Sequence, residues 1–230
     1  ILYAIGGASD ADLIGGATTS CESYSPLDDK WSLVSPMSSA RHSHGVVVLD
    51  GKLYAVGGTS SSLPEDYEDE DDEETLVLAI AAVERYDPPE ASEGLGTWEN
   101  VAPMQVARSK HGVAVLGGQL YAIGGVDQTD ACLTSVERYD PSLDNWEMVQ
   151  SISQPLRCVN ACVLEGLLYV VGLAFESPVK TPTGPVVVER YDANLNSWQV
   201  QTMRCDPALN KIGISLTVAR ENTLSRFRRQ

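Results

Sequence analysis

The sequence predicts an all-β protein made of about four repeated units, and three observations support this. Its four tryptophans are 67, 48 and 52 residues apart, a period typical of propeller blades. A fifteen-residue segment at 44–58 recurs at 111–125 with eleven identical positions. The pentapeptide VERYD occurs three times, at 83–87, 136–140 and 188–192. Repetition of this kind indicates one structural unit used several times along the chain.

Each unit begins with two predicted strands. In the second unit, residues 46–49 and 53–56 are rich in the β-branched and aromatic residues that favour strands. The Asp50-Gly51 pair between them tolerates positive φ and joins adjacent strands in a tight turn. Gly57 and Gly58 follow the second strand, and paired glycines allow backbone conformations closed to other residues. The sequence therefore predicts a β-hairpin in each unit.

The VERYD segments predict a third strand in each unit, and the tryptophan segments predict a fourth. Proline at 88 and 141 follows the third strand and blocks further pairing. A diverged copy, ESYSP at 22–26, supplies the third strand of the first unit. Four antiparallel strands make one blade of a β-propeller. The repeated tyrosines and tryptophans are interpreted as structural, because they supply large buried surfaces between neighbouring blades.

Three motifs recur in the units: Gly-Gly after the second strand, Tyr-Asp at the end of the third and Trp in the fourth. With these motifs the sequence resembles the kelch family over nearly all of residues 1–203. The resemblance implies a kelch-type β-propeller with blades at 1–37, 38–104, 105–152 and 153–203. Its first blade lacks the innermost strand and its last is irregular, so the four form an open part of a six-bladed ring. We expect the exposed blade faces to make an isolated chain marginally stable.

Three segments depart from the repeat. An insertion at 61–76 includes nine carboxylates, which predicts a disordered spacer; the alternative is an acidic arm that engages a basic partner. In blade four, Leu173 replaces the second glycine, and a proline-rich insertion occupies 177–185. Residues 204–230 lack the blade pattern and end in a basic tail. We therefore expect a distorted fourth blade and an atypical C-terminal segment.

Charge and cysteine content exclude several classes of partner. Sixteen basic against 32 acidic residues give a net charge of −16, which repels nucleic acid and anionic lipid. No apolar run is long enough to cross a bilayer, and no targeting signal is present. Five cysteines, an odd number without a CxxC pair, favour a reducing compartment. These features predict a cytoplasmic protein without nucleic-acid or membrane partners.

The resemblance implies that ligands dock at one mouth of the propeller. That mouth carries the turns that lead into each innermost strand, RHSHG from 41, RSKHG from 108 and RCVNA from 157, and the residues after each glycine pair. The predicted partner-binding residues are His42, Ser43, Ser109, Lys110, Cys158, Val159, Ala8, Thr59 and Val126. Lys110 is the main cation in this set, and we expect it to contribute to binding.

The arginines that open these turns are predicted to pair with carboxylates or carbonyls between blades. His42, His44 and His111 would allow a metal site, but Asn160 stands at the equivalent position of blade four, so no metal and no cofactor is predicted. No nucleophile, base and acid recur together, and the chain is predicted not to be an enzyme. A copper oxidase on a kelch fold is the third alternative. It is the least favoured one, because this sequence does not match the positions of the copper ligands in those enzymes.

The sequence thus predicts a protein-binding module. Its repeats resemble the kelch-like proteins, in which BTB and BACK domains precede the propeller. By that resemblance the propeller selects a protein substrate for a cullin-based ubiquitin ligase, and the upstream modules, absent from these 230 residues, recruit the cullin. The alternative is a cytoskeletal protein that binds actin through the propeller.

Overall fold

The computed structural model describes residues 1–8, 16–60, 78–89, 94–174 and 186–201, with Arg157 and Cys158 described by their backbone alone. These ranges consist of strands, turns and irregular segments, without a helix, so the described chain holds no helix that could cross a membrane. The acidic insertion at 61–76, the proline-rich insertion at 177–185 and the segment at 204–230 lie outside the described residues.

Four antiparallel sheets follow one another along the chain and are numbered here as blades 1 to 4. Blade 1 has strands β1 (Leu2–Ile5), β2 (Cys21–Ser25) and β3 (Lys30–Leu33). Blade 2 has β4 (Gly45–Leu49), β5 (Lys52–Val56), β8 (Val83–Asp87) and β9 (Thr97–Val101), with a short hairpin of β6 (Thr59–Ser60) and β7 (Leu78–Ala79) between β5 and β8.

The later blades contain the remaining strands. Blade 3 has β10 (Gly112–Leu116), β11 (Gln119–Ile123), β12 (Val136–Asp140) and β13 (Asn145–Val149). Blade 4 has β14 (Leu156–Leu164), β15 (Leu167–Ala174), β16 (Val186–Asp192) and β17 (Ser197–Gln201). In each blade the strands lie in chain order, as consecutive antiparallel neighbours.

The predicted all-β class and strand order are confirmed. Blade 1 lacks the innermost strand, as the sequence predicts, and the described sheets do not close into a ring. Blade 4 has all four strands but is irregular, because the pairing of β14 with β15 shifts register between Arg157 and Asn160. The innermost strands of blades 2 to 4 are neighbours, with β10 packed against both β4 and β14.

Aromatic residues build the core between blades. In blades 1 to 3, a tyrosine of the second strand packs edge-on against the third-strand tyrosine of the next blade, at centroid distances of 5.8, 5.9 and 5.7 Å. These pairs are Tyr3–Tyr86, Tyr54–Tyr139 and Tyr121–Tyr191. Each third-strand tyrosine also contacts the tryptophan of its own blade, as Tyr139 does with Trp146 at 5.2 Å. The repeated aromatic residues therefore link each blade to the next, as predicted.

Hydrogen bonds reinforce this contact. The indole Nε1 of Trp98, Trp146 and Trp198 donates to a backbone carbonyl just after the fourth strand of the preceding blade, at 2.9, 2.9 and 2.8 Å. In blade 3, Asp144 accepts from the Tyr139 hydroxyl and from the backbone N–H of Ala102 in blade 2, both at 2.8 Å. Blades 2 to 4 are thus each fastened to the preceding blade by the same indole hydrogen bond.

Candidate partner-binding surface

The lead-in turns of blades 2 and 3, residues 41–44 and 108–111, are anchored by a buried arginine. In blade 3, Nη1 of Arg108 donates to the carbonyls of Gly124 and Ser135 at 2.9 and 3.0 Å, and Nη2 donates to the Glu137 carboxylate at 2.8 Å. Both charged side chains are fully buried. The same carboxylate accepts the backbone N–H of Gln105. A buried ion pair needs such additional donors to offset its lost hydration.

Blade 2 repeats the network with Arg41, which donates to the carbonyls of Gly57 and Ala82 and to Glu84 at 2.6 Å. The predicted carboxylate and carbonyl partners are therefore present. The prediction that they lie between blades is wrong, because Glu84 and both carbonyls belong to the same blade as the strand that follows Arg41. The backbone of Arg41 reaches blade 1, where its carbonyl accepts the Gly7 N–H at 2.9 Å.

The exposed tips of the two turns have an unusual backbone. Ser43 and Lys110 occupy equivalent positions and have φ of 52° and 53°, in the left-handed region that disfavours residues with a Cβ. The Lys110 N–H donates to the Ser43 carbonyl at 2.9 Å, and the Val159 N–H donates to the Lys110 carbonyl at 3.2 Å. A chain of backbone hydrogen bonds thus joins the turns of three blades and holds the Ser43 and Lys110 side chains in fixed positions.

The nine predicted site residues divide into two groups. Ala8 and Ser43 are exposed, and His42 and Lys110 are half-buried; Thr59, Ser109, Val126 and Val159 are buried, and the Cys158 side chain lies outside the described residues. The four buried residues pack inside the mouth and do not face solvent. Backbone bridges pair His42 with Thr59 and Ser109 with Val126. Of the predicted residues, Ala8, His42, Ser43 and Lys110 are therefore the ones at least partly exposed to solvent, and we call these four the mouth patch.

A loop of blade 3 adds to this end of the molecule and is missing from the predicted set. Residues 128–131 are exposed in the connection between β11 and β12. The Asp127 carboxylate orders the loop by accepting the backbone N–H of Thr129 and Ala131 at 2.8 and 3.1 Å. Burial alone would raise the pKa of Asp127, but hydrogen bonds from the Thr129 hydroxyl and these two N–H groups outweigh it and lower the pKa. The sequence signal was the Asp-x-Thr pattern, which is typical of an Asx turn.

The histidines of the lead-in turns fill the seams between blades. His111 is buried, and Gly57 of blade 2 lies so close that a Cβ there would be 2.9 Å from the imidazole Cε1. Burial, with a smaller effect of the Arg108 charge, lowers the pKa of His111 to about 3. Burial, with a smaller effect of the Arg41 charge, lowers the pKa of His44 to about 4. Both rings are neutral at physiological pH. Among the described residues, neither ring nitrogen of His111 has a hydrogen-bond partner.

A polar groove of about 280 Å³ runs beside these rings, lined by residues 44–46, 111–113 and 159–161 of the three innermost strands. The described ranges contain no cluster of three or more His, Cys, Asp or Glu side chains that could hold a metal ion. On the mouth patch, burial and the nearby charge of Lys110 lower the pKa of His42. Lys110 therefore supplies the positive charge of this patch at neutral pH.

Comparison with known proteins agrees with this architecture. The family model of the kelch motif matches residues 1–38, 40–68 and 107–153. This chain is a kelch-repeat protein. The kelch chain is 34% identical over 142 residues to Kelch-like protein 35 of Mus musculus, covering 62% of this chain and 21% of that protein. It is 31% identical over 193 residues to Kelch repeat and BTB domain-containing protein 12 of Homo sapiens, covering 74% of this chain and 29% of that protein.

Among solved structures, the kelch chain is similar in fold to the structure of YjhT, with a TM-score of 0.63 at 16% identity, covering 88% of this chain and 66% of that chain. The chain spans less than a third of the length of the two curated relatives, 21% of the first and 29% of the second. It resembles the kelch-like family, and these similarities support a protein-interaction module.

Proposed function

We propose that the mouth patch is the partner-binding surface of this chain and that the bound protein is a substrate presented to a cullin-based ubiquitin ligase. The observation that carries the proposal is the pair of left-handed, non-glycine turn tips at Ser43 and Lys110, joined by a backbone hydrogen bond. Backbone strain of this kind costs free energy and is concentrated at functional sites. Both side chains lie at least partly in solvent, so the strained turns present them to a partner.

The composition of the patch limits what it can recognise. It offers one ammonium group, one hydroxyl, one imidazole that is neutral near pH 7 and one methyl group. Such a surface suits a partner segment that is polar, mostly uncharged and carries one carboxylate opposite Lys110. A single ion pair at the rim of an interface contributes little affinity, so the uncharged contacts must supply the rest. The ligase part of the proposal is supported by the resemblance to kelch-like proteins, one of which is named for a BTB domain.

Affinity capture from cells tests both parts, with a full-length version of the protein as bait. The double variant Ser43→Arg, Lys110→Glu changes the mouth patch, and Lys30→Glu is the control because it repeats the lysine-to-glutamate change of Lys110 on an exposed strand of blade 1. We expect partners that the double variant loses and Lys30→Glu retains, together with a cullin recovered by all three baits. Partners retained by the double variant would contradict the assignment of the mouth patch. Recovery of actin without a cullin would favour the cytoskeletal alternative.

A cytoplasmic setting and the lack of catalysis belong to the same proposal. Among the described cysteines, Cys21 and Cys162 are free thiols, which supports a reducing compartment.

A further inference from the structure

The lead-in turn of blade 2 presents a hydroxyl group to solvent at its tip. Ser43 is exposed and occupies the left-handed position of the turn, with φ of 52°. Its Oγ lies 3.0 Å from Nδ1 of His42, a hydrogen-bond distance that orients the hydroxyl. The left-handed tip of the blade 3 turn is Lys110, which carries an ammonium group in place of a hydroxyl. Ser43 therefore supplies the hydroxyl nucleophile of the mouth patch.

The neighbouring hydroxyls of the mouth are held inside the fold or by a carboxylate. Thr59 is 3% exposed and Ser109 0% exposed, and the Oγ atoms of both are buried. Thr129 lies on the exposed loop of blade 3, but its hydroxyl donates to the Asp127 carboxylate at 2.7 Å. Of these four hydroxyls, that of Ser43 is the one an enzyme can reach without opening the fold or breaking a bond to a carboxylate.

We propose that Ser43 is a phosphorylation site and that its phosphate closes the mouth patch to the partner. The step needs a protein kinase and a nucleoside triphosphate. The Ser43 Oγ forms a bond to the γ-phosphorus, and the bond from that phosphorus to the bridging oxygen of the β-phosphate breaks. The nucleoside diphosphate leaves, and the hydroxyl proton passes to a base of the kinase.

The position of Lys110 determines what this phosphate does. The Lys110 N–H donates to the Ser43 carbonyl at 2.9 Å, so the two residues are neighbours across the seam between blades 2 and 3. A phosphoserine carries a charge of about −1.5 to −2 at pH 7 and forms strong charge-assisted bonds with an ammonium group. It therefore occupies the Lys110 charge and makes the patch negative. A carboxylate of the partner then meets a like charge, an effect that rests on the proposed function.

Peptide mapping tests the site independently of any partner. Trypsin cleaves after Arg41 and Lys52, and the peptide at 42–52 contains Ser43 and no other serine, threonine or tyrosine. We expect a phosphorylated form of this peptide in the full-length protein isolated from cells treated with a phosphatase inhibitor, and its loss in Ser43→Ala. If the peptide is unmodified under these conditions, the proposal is wrong whatever the mouth patch binds.

The pairing with Lys110 is measured on full-length protein in which phosphoserine is installed at position 43 during synthesis. A phosphorus NMR titration gives the second pKa of the phosphate, which is ordinarily about 6. We expect the ammonium group to lower that pKa by about half a unit and Lys110→Met to restore it, because Lys110→Met removes the charge and keeps most of the side chain. Identical titrations in the two proteins would contradict the predicted pairing.

Affinity capture with the same phosphorylated protein tests the effect on the partner. Phosphoserine at position 142 is the control, since Ser142 is exposed in the turn between β12 and β13, at the other end of the blade from the mouth. Phosphoserine at 43 should reduce recovery of the mouth-dependent partners about tenfold or more, and phosphoserine at 142 should not. Partners lost with Ser43→Arg, Lys110→Glu but kept with phosphoserine 43 would refute the switch alone. Partners kept with both would refute the mouth patch as well.

Discussion

Blades 3 and 4 build the same end of the fold in two different ways. In blade 3 the second strand ends at Ile123, the glycine pair at 124–125 breaks the sheet, and the lead-in turn is held by the buried Arg108–Glu137 pair. In blade 4, where Leu173 replaces the second glycine, β14 and β15 continue beyond that point, and Leu173 pairs with Arg157 on one side and Val186 on the other.

The difference shows what the glycine pair does. A Cβ at Gly125, which has φ of 87°, would lie 2.4 Å from the Ser109 carbonyl oxygen, so the turn of blade 3 can close only over a glycine. Blade 4 avoids the contact by pairing its strands further and accepting a register shift before Asn160. The polar turn and the extended hairpin are thus alternative structures for one position in the repeat.

The largest expected effect comes from removing the carboxylate that the blade 3 turn depends on. Glu137→Ala leaves the buried charge of Arg108 without its carboxylate and the N–H groups of Gln105 and Val106 without their acceptor, and we expect it to lower the free energy of unfolding by about 3–5 kcal/mol. Glu147→Ala is the control, because Glu147 pairs with Arg138 at the surface and such pairs contribute about 0.2–1 kcal/mol. Urea denaturation measures both, and equal losses would show that the buried network does not hold the turn.

Exchanging the residues that distinguish the blades tests the comparison directly. Gly125→Ala should destabilise the chain by about 2 kcal/mol or more, through the left-handed φ and the contact with Ser109. Leu173→Gly should also destabilise it by about 2 kcal/mol or more, because a buried leucine leaves the extended hairpin. Each change makes one blade resemble the other in sequence, yet both should lower the urea midpoint. A stabilising Leu173→Gly would show that the hairpin of blade 4 is strained.

The buried histidine of blade 3 predicts a pH dependence that blade 4 lacks. His111 has a pKa of about 3 in the folded chain and 6.5 when unfolded, so between these values the unfolded state binds the extra proton. Stability therefore falls as the pH drops below about 6.5, with a slope of about 1.4 kcal/mol per pH unit for this residue. Arg108 and His44 face the ring and oppose its charge.

His111→Val installs the residue that blade 4 has at this place, because Val159 lies against Gly124 of the preceding blade as His111 lies against Gly57, and it should remove that share of the slope. Urea titrations of the variant and the wild type at several pH values between 4 and 7 measure the difference. Parallel pH profiles would mean that His111 is protonated without cost in the folded chain.

The smallest effect is expected at the turn tips. Ser43→Gly relieves a left-handed residue and should raise the free energy of unfolding by up to about 1 kcal/mol, since the relief exceeds the entropy that glycine adds to the unfolded chain. Val159 of blade 4 donates its N–H to Lys110 as Lys110 does to Ser43, but Val159→Gly has no positive φ to relieve and loses a buried side chain, so it should destabilise. A destabilising Ser43→Gly would indicate that the serine hydroxyl, 3.0 Å from His42 Nδ1, holds the turn.

Most of the sheet could be predicted from the sequence because strand pattern and turn chemistry are local. The hairpin around Asp50-Gly51, the VERYD strands and the missing innermost strand of blade 1 all follow from short segments and their repetition. The mouth was harder to predict. Ser109 and Val126 are loop residues by sequence, but they are buried because the turns of neighbouring blades bond to each other, a contact that no local pattern contains. The left-handed tips and the register shift of blade 4 depend on the same long-range closure.

The junction tyrosines also determine how the chain comes apart. Because the tyrosine contacts of the described residues join each blade to the next one in the row, local opening of one blade is coupled to opening of its nearest neighbours. Blades 2 and 3 have a neighbour on both sides and exchange their amide hydrogens through the rarest openings, whereas blade 1 opens at a lower cost. The order of the repeats thus sets a gradient of local stability from the ends of the row to its middle.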